Sequence, residues 1–250
     1  MTYCVGMLLD TGLVFLSDSR TNAGVDQISS FRKVTVFEKP GDRVMVLLSS
    51  GNLAISQALV NVLQEQMAGF VPGQGQPPNL NTAVNMFEAA RCVGDALREV
   101  HKRDAAALEE HHIEFNASFI FGGQIGGELP RLFHVYAAGN FIEATFDTPY
   151  FQIGESKYGK PIIDRVVTRS TSLAEAAKCA LISMDSTIRS NLSVGAPLDL
   201  VCIRRDALKV MSHISMDAEH DYFRMIRKRW SESLRHAFHE LPDPEWLRSS

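Results

Sequence analysis

Blocks of short strand-like segments alternate with pairs of helix-like segments along this chain, and that order limits the fold more than any other feature. Cys4 to Leu9 is apolar, Asp10-Thr11-Gly12 reads as a turn, and Leu13 to Leu16 is apolar again, which is a hairpin pattern. A polar loop covers Thr21 to Ser30. Lys33 to Phe37 alternates with β-branched residues, Lys39-Pro40-Gly41-Asp42 is a second turn, and Val44 to Leu48 is a second buried run. At Ser49-Ser50-Gly51-Asn52 the period changes. Leu53, Leu59, Val60, Leu63 and Met67 share one helix face, with Ser or Asn as its cap. A Gly- and Pro-rich loop, Gly69 to Asn81, leads to a second helix beginning near Asn81-Thr82, with Val84, Phe87, Ala90, Val93, Leu97 and Val100 on its face.

Strands resume at Ile113 to Phe121 and Arg131 to Ala137, with shorter ones around Phe141 to Phe146 and Phe151 to Gly154. Gly122, Gly123, Gly126 and Gly127 do not match a GxGxxG phosphate loop and precede a strand, so a hairpin turn is the expectation there. Two helices, Gly159 to Val167 and Ser172 to Ser190, precede two final strands, Leu198 to Ile203 and Leu208 to Ile214. Strand blocks separated by helix pairs imply an α+β fold: a four-layer αββα sandwich of two antiparallel sheets with helices on both outer faces. Asp217 to Glu240 is helical in pattern, with Phe223, Ile226, Trp230, Leu234 and Ala237 on one face and Arg224, Arg227, Lys228, Arg229 and Arg235 elsewhere. The expected organisation is therefore a domain over 1–214 and a C-terminal helical extension and tail over 215–250. That extra apolar face is suited to docking on its own domain or to self-association with a neighbouring subunit.

Composition excludes several classes. With 25 Lys+Arg against 29 Asp+Glu the formal net charge is −4, which gives no general attraction to nucleic acid or anionic membranes. No apolar run approaches the roughly 20 residues that span a bilayer, and the first residues lack the basic-then-apolar layout of a secretory signal, so a cytoplasmic protein is expected. Cys4, Cys92, Cys179 and Cys202 are far apart and form no CxxC pair, and the histidines form no HExxH. Neither a disulfide framework nor a metal or organic cofactor is expected.

Thr2 follows Met1, and a small second residue permits methionine removal. An N-terminal threonine carries a hydroxyl beside an α-amine of pKa about 7.7–8.0, a base strong enough to activate it for acyl transfer. Asp18 ends the second strand and Lys33 begins the third. If these strands are neighbours, both approach the chain start. Lys33 there stabilises an ionised nucleophile and favours the neutral amine, while Asp18 holds the lysine.

Thr2-Tyr3-Cys4-Val5-Gly6, then Ser17-Asp18-Ser19-Arg20-Thr21-Asn22-Ala23-Gly24, then Phe31-Arg32-Lys33 resemble a proteasome β-type subunit. The match continues through Val25-Asp26-Gln27-Ile28 and Leu48-Ser49-Ser50-Gly51-Asn52, where the chain is similar to the Anbu family of bacterial proteasome-type proteases. The resemblance runs from Thr2 to about Ile214, and the basic helical extension fits it as well. It implies the N-terminal-nucleophile hydrolase fold, with Thr2 as nucleophile and base and with Asp18 and Lys33 as the supporting pair. It also implies Gly51, at the start of the first helix, as backbone donor to the oxyanion. Thr21, Phe31, Ser49 and Leu53 fall at positions that line the substrate pocket. Arg189-Ser190-Asn191-Leu192-Ser193-Val194-Gly195 stands where the family has R-D-x-x-S-G-G. Ser193 matches its serine, but Ser190 replaces the aspartate. Gly154-Glu155-Ser156 is a loose version of the family's G-S-G turn, which brings Glu155 or Ser156 toward the site.

The resulting expectation is a self-compartmentalised threonine peptidase or amidase that forms a ring or spiral homo-oligomer and acts on peptide or amide substrates. Two alternatives share the fold: a small-molecule amide hydrolase, and a catalytically idle structural subunit. An ATP-dependent unfoldase partner follows by family analogy only.

Overall fold

The computed structural model describes residues 2–22, 28–69 and 75–247. The first hairpin pairs β1 (Tyr3–Leu9) with β2 (Gly12–Asp18) in the register Cys4↔Ser17 to Leu9↔Gly12. Every residue of both strands is buried, which is why they read as continuous apolar runs without a polar face. β10 (Tyr150–Gly154), β11 (Leu198–Arg204) and β12 (Ser212–Met216) complete an antiparallel sheet of order β10-β1-β2-β11-β12. The second sheet has the order β5-β6-β7-β8-β9, formed by β5 (Val34–Lys39), β6 (Arg43–Gly51), β7 (Ala117–Ile125), β8 (Arg131–Tyr136) and β9 (Phe141–Glu143).

Three apolar clusters define four layers. Leu13, Phe15, Val44, Val46, Ile120 and Leu132 lie between the two sheets. Met45, Leu47, Phe119 and Phe133 project from the second sheet onto α1 (Leu53–Ala68) and α2 (Met86–Glu110). Tyr3, Val5, Leu16 and Leu200 project from the first sheet onto α3 (Lys160–Val166) and α4 (Leu173–Ser190). The αββα sandwich expected from the strand and helix blocks is therefore present. α4 starts with a capping box, in which the Ser172 side chain and Glu175 satisfy each other's backbone N–H groups.

Local differences have identifiable causes. The segment expected to be a polar loop contains two short paired strands, β3 (Arg20–Asn22) and β4 (Ile28–Ser30), joined through residues 23–27, which lie outside those described. α2 begins at Met86 rather than near Asn81, because Asn85 caps it by accepting from the Glu88 backbone N–H at 2.8 Å. Gly122 and Gly123 lie inside β7 rather than in a turn. A Cβ on Gly123 would come within 2.1 Å of the Val44 carbonyl oxygen, so the residue is small to admit the neighbouring strand. β12 begins at Ser212, later than the apolar pattern suggested.

The C-terminal helix α5 (Asp221–Glu240) divides along its length. Phe223 and Ile226 are buried in the same cluster as α4, where each contributes about 1.5–3 kcal/mol. Buried Asp185 of α4 accepts from Arg227 Nε at 2.7 Å and from Arg189 Nε at 3.1 Å. Beyond Trp230 the apolar side chains face outward, and Leu234 is 51% exposed. No described helix is long and apolar enough to cross a membrane.

Candidate active site

The start of β1 is held from three sides. Pairing with β10 places Tyr3 opposite Gly154, and the Glu155 backbone N–H donates to the Thr2 carbonyl at 2.7 Å. The Tyr3 backbone N–H donates to Asp18 Oδ1 at 3.0 Å. Thr2 is 8% exposed in the chain that still carries Met1.

Lys33 precedes β5 and reaches back to the same carboxylate. Its Nζ is 2.8 Å from Asp18 Oδ1 and donates to the Arg20 carbonyl at 2.7 Å. The pair is enclosed, with Lys33 7% and Asp18 0% exposed. Burial pushes the Asp18 carboxyl above the ordinary aspartate range. The Lys33 ammonium, and then the backbone N–H groups of Tyr3 and Gly195, pull it back. A buried ion pair with each end further hydrogen-bonded is costly to assemble and more costly to break. Asp18, Lys33 and Tyr3, the residue after Thr2, thus form one hydrogen-bonded unit, with Asp18 on the first sheet and Lys33 before β5 of the second rather than on neighbouring strands as the sequence suggested.

Arg20 connects this unit to the loop after α4. Its carbonyl receives Lys33, and its Nη1 donates to the Leu192 carbonyl at 2.8 Å. In that loop the Ser193 backbone N–H donates to Asn191 Oδ1 at 2.9 Å, and Asn191 Nδ2 donates to Glu155 Oε2 at 2.8 Å. Ser193 is half-buried, whereas Ser190, the last residue of α4, is exposed. Two partners missed by sequence reasoning, Arg20 and Asn191, belong to motifs whose residue order signalled the region. Their contacts span 172 and 36 positions, beyond the reach of local spacing.

Gly51 closes β6 opposite Ala117 rather than opening α1, which corrects its expected placement. Asn52 is the cap, accepting from the Ala54 N–H at 2.9 Å, and the helix begins at Leu53. Gly51 has φ +106°, and a Cβ there would lie 2.4 Å from the Asn116 carbonyl oxygen, so only glycine fits. Ser49 lies beside Lys33, donating its backbone N–H to the Lys33 carbonyl at 3.0 Å. Phe31 is 39% exposed two positions before Lys33, and Leu53 is half-buried at the helix start. Thr21 belongs to β3, but its side chain lies outside the described residues, as does Met1.

Cys4 is buried beneath the site, its Sγ 3.6 Å from the Ser49 carbonyl, and burial pushes its thiol far up, which leaves it an unreactive thiol. All four cysteines are free and buried. Among the described residues no group of three or more His, Cys, Asp or Glu could hold a metal ion.

No protein-family model matches the chain, and a comparison with curated proteins finds no match. Solved structures do match. An Anbu (Gly-1) mutant from Hyphomicrobium sp. strain MC1 is 50% identical at TM-score 0.91, over 98% of this chain and 100% of that one. Anbu from Yersinia bercovieri, described as an ancestral beta-subunit, is 52% identical at TM-score 0.89, over 97% of this chain and 99% of that one. The Anbu complex of Pseudomonas aeruginosa, described as a helical assembly, is 46% identical at TM-score 0.89, over 97% of this chain and 98% of that one. Identity at this level over nearly whole chains, on the same sandwich and with the buried Asp18–Lys33 pair at the start of β1, places this chain in the Anbu family of proteasome-like proteins.

Proposed function

We propose that this chain is a proteasome-like hydrolase that cleaves peptide or amide bonds with Thr2 as an N-terminal nucleophile once Met1 is removed. The observation that carries this reading is the buried Asp18–Lys33 pair, 2.8 Å apart and hydrogen-bonded to the Tyr3 N–H beside buried Thr2. A scaffold gains little from enclosing a lysine there, because the desolvation it costs is seldom recovered as stability.

In the proposed reaction the neutral Thr2 amine takes the Oγ1 proton as Oγ1 adds to the substrate carbonyl carbon. Lys33 stabilises the oxygen through its charge, and Asp18 keeps Lys33 in place. The Gly51 N–H receives the negative oxygen of the tetrahedral intermediate. The ammonium then gives its proton to the leaving nitrogen as the C–N bond breaks, and an acyl ester remains on Thr2. Water, deprotonated by the same amine, releases the acid and returns the proton to Oγ1. Ser193 steadies the amine. Thr21, Phe31, Ser49 and Leu53 line the pocket for the side chain before the cleaved bond. Their mixed character gives it no sharp preference.

The copies assemble into a spiral, as the Pseudomonas relative does, with the exposed end of α5 as a contact. The free, buried cysteines suit a reducing compartment, which we take to be the cytoplasm.

The test is hydrolysis of a panel of peptides and small-molecule amides by the native chain and by Thr2→Ala. The native chain is expected to turn over at least one class, and Thr2→Ala to lose about 10³-fold or more. Cleavage of amides alone selects the small-molecule reading. Native turnover in Thr2→Ala overturns the assignment.

A further inference from the structure

We propose that Glu155 is the carboxylate that partners the Thr2 amine, with Asn191 holding it in position. The proposal rests on Thr2 being an N-terminal nucleophile. An amine that takes a proton from Oγ1 becomes an ammonium in a largely buried setting, and a buried charge without a partner is strongly disfavoured. Asp18 Oδ1 already receives both the Lys33 ammonium and the Tyr3 N–H. Its charge is balanced by Lys33. Ser190 is exposed at the end of α4 and carries no charge.

Glu155 is in the right place to supply the missing negative charge. Its backbone N–H is 2.7 Å from the Thr2 carbonyl, so its main chain lies alongside the nucleophile residue itself. Its side chain does not run free into solvent. Oε2 accepts from Asn191 Nδ2 at 2.8 Å, while Asn191 Oδ1 accepts from the Ser193 N–H at 2.9 Å. Asn191 thus fastens the carboxylate to a loop that is itself tied to Arg20 through Leu192. Glu155 is half-buried, so its field at the chain start is screened less than that of an exposed carboxylate.

The charged groups linked to the chain start by hydrogen bonds are Asp18 on β2, Arg20 on β3, Lys33 before β5 and Glu155 after β10. Cys4 of β1 stays neutral, and the loop after α4 presents uncharged Asn191 and Ser193. Lys33 favours the neutral amine and Glu155 the ammonium. The opposing pair leaves the amine able both to accept the Oγ1 proton and to release it to the leaving group. Glu155 is in this sense a positioning residue for the proton-carrying amine.

The experiment uses the full chain with Thr2 as its first residue, checked by intact mass. The pH dependence of acetylation of the Thr2 amine by acetic anhydride is read from the N-terminal peptide by mass spectrometry. Removing a nearby carboxylate destabilises the ammonium, so Glu155→Gln is expected to lower the midpoint by about one pH unit. The acid limb of kcat/KM is expected to move the same way. An unchanged midpoint in a Glu155→Gln variant with native melting behaviour overturns the proposal. If that variant is unstable, Asn191→Ala, which leaves the carboxylate but unties it, is expected to give a smaller fall, and no fall there overturns the proposal equally. A lowered midpoint together with native turnover in Thr2→Ala keeps the Glu155 contact and overturns only the nucleophile assignment.

Discussion

Lys33 Nζ stands 2.8 Å from Asp18 Oδ1, and that one oxygen also receives the backbone N–H of Tyr3, the residue next to Thr2. A single carboxylate thereby sets both where the lysine points and where the first strand begins. Neither the ion pair nor the strand start can shift without the other, which ties local folding at the chain start to the chemistry proposed for it.

This coupling has a pH signature. Burial raises the Asp18 carboxyl above its unfolded value, so its contribution to stability is full below the unfolded pKa and is lost as pH rises through the folded one. Lys33 limits that loss. In Lys33→Met the limit is gone, and at about pH 7 the variant is expected to be about 3–5 kcal/mol less stable. The deficit should shrink as pH falls from neutrality toward the carboxylate range, where protonation relieves the isolated charge. Urea unfolding of both proteins across that range checks it, and a deficit independent of pH contradicts it.

The junction after β6 makes a separate prediction. Gly51→Ala forces a side chain at φ +106° against the Asn116 carbonyl. The expected cost is about 1–3 kcal/mol of backbone strain. If Gly51 donates to the oxyanion, kcat should fall by about 10²-fold or more with KM little changed. A stability loss with native kcat would leave Gly51 as a structural glycine only.

Much of this arrangement was legible in the sequence because it is local. The Asp10-Thr11-Gly12 turn between two apolar runs marked the hairpin, and the helix read from Ser172 to Ser190 agrees with α4. Asp18 and Lys33 could be grouped with Thr2 from their motifs, although Lys33 precedes β5 of the second sheet, so the pair joins the two sheets rather than neighbouring strands. Other features were hidden because they depend on distant neighbours. Gly123 looks like a turn residue until the Val44 carbonyl lies against it. The start of α2 was set by a side-chain cap at Asn85, not by the onset of the apolar period. The Asn191–Glu155 contact joins the loop after α4 to the turn after β10, which no spacing rule relates.

The split character of α5 predicts two different truncations. Ending the chain after Asp217 removes Phe223 and Ile226 from the core and Arg227 from buried Asp185, so the domain should melt at markedly lower temperature. Ending it after Ser231 keeps those contacts and removes exposed Leu234, Phe238, Leu241 and Trp246. That shorter loss should leave the fold intact and reduce the assembly state measured by light scattering. An unchanged assembly state would move the subunit contacts onto the sandwich.

The nucleophile assignment is tested most directly by mass spectrometry after treatment with a peptide epoxyketone. The Thr2 oxygen adds to the ketone and the Thr2 amine opens the epoxide, closing a morpholine ring with no atoms lost. The expected result is a chain lacking Met1 whose mass rises by that of the whole probe, with the adduct mapped to Thr2 and absent in Thr2→Ala. An adduct on Cys4, or no adduct on a folded chain that begins with a free Thr2 and is offered epoxyketones with small, apolar and aromatic side chains, would contradict it.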